Sequence, residues 1–374
     1  MLDTTSRNSE PEHRPYGGIR SKPKRIAVIG AGMAGIATAR TLMQAGHDVT
    51  VFEKRAEAAG RTAVVNSVSG TYDVGAQYFT VRDARFQKAL DTIPGLCRAW
   101  SVNTVRVLDE AGRVVAAAPP PGERHWVATP AMDALVKTWA QPLADKSRLV
   151  TNTSIVAIER DVVSPDQWQL RAQLPDGGTG VHAGFDTVLL AVPAPVAQAI
   201  QGEHQTLWEE QLAKVETAPC WTLMLGFPQA VRPGLTTLGP QWNAARSTHH
   251  RIAWLARESS KPGRSQVERW TVQASPQWSQ EHVNDDPARV QAKLLRAFSE
   301  VTGIRATPSQ IDIFRWRHAR TMMPLGQSAL WDEDAQLGLC GDWCLGHRLE
   351  DAFISGLELA LASIDAAHSN KAFS

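Results

Sequence analysis

The chain is poor in the features that mark several common protein classes. It has four cysteines, Cys97, Cys220, Cys340 and Cys344, and no two are spaced as CxxC. A disulfide framework needs a denser set, and a zinc site needs clustered Cys or His, so reduced thiols and no metal site are expected. Cys340 and Cys344 read as two small buried thiols. Neither charge sign is in surplus: the net charge is +1, which gives no global field toward nucleic acid or an anionic membrane surface. No stretch approaches the ~18 apolar residues of a membrane helix. Residues 1–24 contain no apolar segment of the secretory kind and are rich in charge, Pro, Ser and Gly. They read as a disordered tail, and the expected location is cytoplasmic.

What is present is length and an N-terminal nucleotide motif. The 374 residues exceed the ~250–300 at which a single core stops growing, so two domains or one large insertion are expected. Arg25–Ile29 predicts a strand that runs into Gly30-Ala31-Gly32-Met33-Ala34-Gly35, a GxGxxG sequence. The first glycine permits a tight turn, the second lets backbone approach a pyrophosphate, and the third allows close strand–helix packing. Residues 34–44 predict a helix whose free N–H groups and positive dipole end face the phosphates. Gly46 sits where a helix C-terminal glycine belongs. Val49, Val51 and Phe52 predict the second strand, which ends at Glu53, 23 residues after Gly30. A carboxylate there accepts from ribose hydroxyls and repels a 2′-phosphate. The motif alone does not separate NAD from FAD.

Further along, residues 132–143 predict a helix, and the apolar run at 188–192, stopped by Pro193, predicts a buried strand at the end of 181–192. Strands are predicted at 222–227, 252–255, 270–274, 311–318 and 337–340. Asp286-Pro287 starts a helix with Val290, Leu294, Leu295, Phe298 and Val301 on its inner side and Gly303 at its end. A last helix uses Phe353, Leu357, Leu361 and Ile364. The segment 278–286, which runs from Trp278 to Asp285-Asp286, is expected at the surface. The fold class is therefore α/β: a Rossmann-type nucleotide domain at 25–96, 149–198 and 310–370, with an inserted mixed α+β substrate domain at 97–148 and 199–309.

Two extensions favour FAD. Glu53-Lys54-Arg55-Ala56-Glu57-Ala58-Ala59-Gly60-Arg61 resembles the E-x6-G-R extension of glutathione-reductase-type flavoproteins, with Ala59 where a second glycine is usual. Gly341-Asp342 ends a strand before a helix rich in small residues. In such flavoproteins this pair closes on the ribityl phosphate and the following helix N-terminus, here Ala352 and Phe353, faces the flavin.

The block Tyr72-Asp73-Val74-Gly75-Ala76-Gln77-Tyr78 is similar to that of renalase and the bacterial renalase-like proteins, within the flavin amine oxidase superfamily. Arg315-Trp316-Arg317-His318 and Gly341-Asp342-Trp343 with Glu350-Asp351-Ala352-Phe353 carry the same resemblance. It implies noncovalent FAD and an oxidase that takes hydride from 2- or 6-dihydro isomers of NAD(P), with O2 as acceptor and H2O2 as product. It also implies that substrate lies between the flavin and an inserted sheet. The matched blocks bracket residues 25–80 and 312–360; the middle is unmatched. Alternation along a strand puts Phe314, Trp316 and His318 on one face and Arg315 and Arg317 on the other. Tyr78, Trp316, His318 and Arg317 are the expected substrate-side residues, and Gly75, Ala76 and Gln77 let backbone approach the flavin. The other reading is a flavin amine oxidase, which favours a lysine near the flavin; Lys137 and Lys214 fall in predicted helices, and no lysine is placed there. Partners are a small molecule and O2; oligomeric state is not readable.

Overall fold

The computed structural model describes residues 22–100, 105–117, 123–230 and 242–369. The predicted tail lies outside these, except for its last three residues.

A six-stranded sheet carries the nucleotide motif. Its order is Leu330–Asp332, Leu337–Leu339, Thr187–Leu190, Arg25–Ile29, Asp48–Phe52 and Leu149–Val150. All neighbours are parallel except the first pair. Parallel strands need cover on both faces, which is why Ala27, Val28, Leu189 and Leu190 are fully buried. The helices Met33–Gln44, Ala134–Asp145 and Leu349–Ser369 cover one face. The three-stranded sheet Ser154–Arg160, Trp168–Gln173 and Thr179–Phe185 covers the other, with Trp168, Leu170 and Phe185 against Ile29 and Val188.

The crossover helix Met33–Gln44 and the C-terminal helix cross where a Cβ on Gly356 would strike the backbone of Ala34. Thr38 Oγ1 locks the crossing by donating to the Gly356 carbonyl at 2.9 Å. Cys340 and Cys344 are buried free thiols, as expected.

A second, seven-stranded sheet stands beside this layer. Its order is Gln310–Met323, Glu216–Phe227, Glu268–Ala274, Ile252–Arg257, Ala244–Ser247, Val105–Leu108 and Val114–Ala117. The helix Pro287–Thr302 packs Val290, Leu294, Phe298 and Val301 against Phe227, Trp270 and Val272. Its predicted ends are observed: Asp286 accepts from Arg289 N at 3.1 Å, and Gly303 closes it at φ 74°.

Four expectations are corrected. The strand at 310–323 was placed with the nucleotide domain, but it pairs with Glu216–Phe227 in the seven-stranded sheet. The helix Ala134–Asp145 was placed with the substrate domain, but Leu135, Val136 and Trp139 belong to the core under Met33–Gln44. The run at 181–192 divides at Asp186 into strands of two different sheets. Trp278, expected at the surface, is buried beside Val290 and Leu294. In each case the local pattern was compatible with either placement, and long-range pairing decided. Among the described residues no helix is long and apolar enough to cross a membrane.

Candidate active site

The nucleotide turn has the geometry its glycines require. Gly30 holds φ at +102°, and a Cβ there would reach within 2.5 Å of the Ala191 carbonyl. Gly60, at φ +56°, faces Gly32 so closely that a Cβ would come within 2.7 Å of the Gly32 Cα. The second strand delivers Glu53 to this turn, where its Oε2 accepts from Ala31 N at 2.9 Å and its Oε1 from Arg55 N at 2.9 Å. Both oxygens keep a lone pair for a further donor, as ribose hydroxyls would supply. Arg55 folds back to the Gly60 carbonyl at 3.2 Å.

Arg61 and Asp342 meet across this turn in a two-pronged ion pair, one contact of which is 2.8 Å. Thr321 Oγ1 also donates to Asp342 at 3.2 Å. Gly341 N is held by Ser355 Oγ at 3.0 Å, so the C-terminal helix and the Gly-Asp pair form one unit. Arg55 and Arg61 thus flank the glycine turn that opens at a helix N-terminus, a fit for an adenine dinucleotide with two phosphates. Phe353 does not point into that opening. Its ring sits 4.9 Å from Phe86 and 5.6 Å from Trp139 in the core, which leaves only backbone at this position for a ligand. Ala352 is likewise buried.

The turn at 73–78 lies between the two sheets and is gripped from both. Ala76 N donates to Arg61 O at 2.9 Å on the nucleotide side. On the other side, Val74 O accepts from Trp316 Nε1 at 2.9 Å and Thr222 Oγ1 at 3.0 Å. Gly75 O accepts from Gln273 Nε2 at 2.7 Å. Gln77, a predicted backbone-approach residue, uses its amide to hold the carbonyls of Asp73 and Gly75. It also accepts from Lys261 Nζ at 3.1 Å.

Lys261 is the residue that sequence reasoning missed. Its side chain is fully buried, and Nζ also reaches Asp73 Oδ2 and Glu258 Oε1, each at 2.9 Å. All three of its protons are therefore committed. Arg264 joins Asp73 Oδ2 at 2.9 Å, and Met132 N donates to Oδ1 at 3.0 Å. Burial alone would raise the Asp73 pKa, but Lys261 and Arg264 outweigh it and hold the carboxyl below its usual range. Burial wins at Glu258 and raises it. No local pattern around Lys261 announced this role, because Asp73 is 188 positions away.

The expected substrate-side residues are not brought together as one wall. Phe314 and Trp316 do share a face, with ring centroids 4.9 Å apart. Trp316 is buried under Gly75 with Arg55 4.7 Å above its ring, so it supports the turn from behind. His318 is half-buried, with Nδ1 3.5 Å from Thr217 Oγ1, and burial followed by Lys54 and Arg61 lowers its pKa. Arg317 points away to Asn284 at 3.2 Å, on the exposed face of the strand. Tyr78 instead joins a different aromatic group: His125 stacks on it at 4.1 Å, and Trp254 and Trp100 lie at 5.7 and 6.5 Å. Neither His125 nor Trp254 was singled out by sequence, since both lie in its unmatched middle.

Comparison with known proteins identifies the family and the fold. Residues 28–93 match the NAD(P)-binding Rossmann-like domain, and residues 115–362 match the flavin containing amine oxidoreductases. A hydroxyneurosporene desaturase from Cereibacter sphaeroides is 41% identical over 17% of this chain and 13% of its own. An L-amino acid oxidase from Bothrops pictus is 45% identical over 14% of this chain and 11% of its own. These alignments thus span about an eighth of the curated relatives' length. Cyclohexylamine oxidase from Brevibacterium oxydans superposes with a TM-score of 0.66 at 13% identity, covering 92% of this chain and 99% of its own. An assigned protoporphyrinogen oxidase from Exiguobacterium sp. 255-15 reaches 0.69 at 14% identity, covering 91% and 99%. At such identity the superpositions speak for the fold.

Proposed function

The chain belongs to the flavin containing amine oxidoreductases, with noncovalent FAD as cofactor, and from that premise we propose that it oxidises dihydronicotinamides. The substrates are the 2- or 6-dihydro isomers of NAD(P), and the products are NAD(P)+ and, with O2 as acceptor, H2O2. When bound, FAD supplies the hydride acceptor and the route of electrons to oxygen.

One observation carries this reading. Lys261, the buried lysine behind the 73–78 turn, has every proton in a hydrogen bond to Asp73, Glu258 or Gln77. All three hydrogen bonds go to the supports of the turn, so this lysine braces the turn. An amine must lose a proton before its hydride leaves; a dihydronicotinamide needs no base, because loss of hydride restores an aromatic cation. The task left to the chain is to orient a flat ring and exclude water, which Tyr78, His125, Trp100 and Trp254 are suited to do. Glu53, Arg61 and Asp342 bind and orient the dinucleotide part of the cofactor. Lys54 and Arg61, the cations that lower the His318 pKa, favour anionic groups there.

The test is anaerobic mixing of the yellow holoenzyme with 2- and 6-dihydronicotinamide dinucleotides, with NADH and with a panel of amines. Rapid bleaching by the first pair alone is expected. Bleaching by amines would replace this reading with that of an amine oxidase.

A further inference from the structure

Two polar groups beside Tyr78 have no partner among the described residues. His125 Nδ1 and Trp254 Nε1 are buried and make no hydrogen bond to any of these. Both rings contact the same tyrosine, at 4.1 and 5.7 Å. Trp100, the third aromatic neighbour, differs: its Nε1 donates to Ser260 Oγ at 3.1 Å. A buried polar group left unpaired costs free energy, so two on one ring call for a guest that pairs them.

The two groups are complementary in kind. An indole N–H only donates. His125 Nδ1 accepts when the ring is neutral and carries its proton on Nε2. Burial and then Arg246 lower the His125 pKa, against the opposing Glu123, which keeps the ring neutral near pH 7.

Backbone pairing fixes where both stand. Trp254 lies on Ile252–Arg257 opposite Gln273, whose side chain holds the Gly75 carbonyl. His125 O accepts from Trp100 N at 2.8 Å, and the next residue, Trp126, exchanges two backbone bonds with Phe79 at 2.8 and 2.9 Å.

We propose that Trp254 and His125 form a seat for a primary carboxamide on an aromatic ring laid against Tyr78. Trp254 Nε1–H donates to the amide oxygen, and His125 Nδ1 accepts from the amide NH2. This rests on the dihydronicotinamide reading and names what in the substrate is recognised. A protonated amine offers donors alone and leaves Trp254 unpaired. A carboxylate offers acceptors alone and sets a lone pair against His125.

The test uses oxidised holoenzyme and reads the flavin absorbance on titration with NAD+, its 3-acetylpyridine analogue and its nicotinic acid analogue. The acetyl analogue keeps the oxygen and lacks the NH2. The native protein is expected to bind the amide about tenfold tighter than the acetyl compound, one hydrogen bond's worth. Trp254→Phe weakens both by about tenfold. His125→Phe weakens the amide alone, and His125→Asn, whose Oδ1 can accept, restores the preference. The two positions are read separately, so misfolding of one variant leaves the other decisive. An unchanged amide preference in His125→Phe, or undiminished binding of both compounds by Trp254→Phe, in a protein still bleached by dihydronicotinamides, overturns the seat and leaves the function standing. Failure of the native protein to bind any of the three, or to be bleached, overturns both.

Discussion

The two ends of the 73–78 turn are treated in opposite ways. At Asp73 nearly every polar atom is saturated: the carboxylate has Lys261, Arg264 and Met132 N, and the neighbouring carbonyls have Trp316, Thr222 and Gln273. At Tyr78 the surrounding rings keep two buried polar atoms unpaired among the described residues. Saturation fixes a backbone in place; unsatisfied groups held on that fixed backbone are what a ligand can use. The contrast separates the part of the site that holds its shape from the part that receives a guest.

The largest effect is expected at the saturated end. Lys261→Met leaves Asp73 and Glu258 buried with less compensation, and breaking a buried pair costs about 3–5 kcal/mol. Thermal unfolding of the holoenzyme should show a fall of several degrees or more; an unchanged melting temperature would mean that the turn does not depend on this lysine. Next comes the cofactor side. Arg61→Ala removes a charged donor and leaves Asp342 unneutralised, so FAD affinity should drop about tenfold to a hundredfold, the range for charge-assisted bonds. Equilibrium dialysis of flavin measures it, and retention at the native level would displace Arg61 from the phosphate site.

Trp316 tests which side of the comparison it belongs to. Trp316→Phe keeps the ring and deletes one of two donors to Val74 O, for about 1 kcal/mol. Trp316→Ala should slow flavin reduction in stopped flow while FAD stays bound; loss of FAD itself would show that the residue supports the cofactor and not the turn. The smallest effect is on pH dependence. His125, His318 and His347 all have folded pKa values lowered first by burial. The unfolded chain then binds more protons than the folded one below about pH 6.5, so stability is full above that value and falls as pH drops through the folded values. His125→Asn should flatten part of that slope in melting curves between about pH 7 and 5, and an identical slope would remove His125 from the buried set.

The nucleotide half was the more legible. From Arg25 to Arg61 each requirement is local: a glycine for a positive φ, a carboxylate at a strand end, a cation a few residues on. The Asp73–Tyr78 block was also visible, although the partner that explains its Asp and Gln, Lys261, was not. Phe314 and Trp316 were rightly put on one side of their strand. Alternation did not say that this side faces the back of the turn, because a face has no meaning until the neighbouring strand is known. His125 and Trp254 carried no signal, since a histidine and a tryptophan in unmatched strands look like core.

By itself, then, the sequence determined the βαβ unit, the carboxylate at the end of its second strand, the long helix capped by Asp286 and Gly303, and the class of cofactor. Those follow from interactions within a few dozen residues, where spacing along the chain is nearly spacing in space. Tertiary structure decided the sheet to which 310–323 belongs, the burial of Lys261 and the company of Tyr78. Each depends on segments far apart in the chain coming together, and their pairing is selected by the burial and satisfaction of the whole fold.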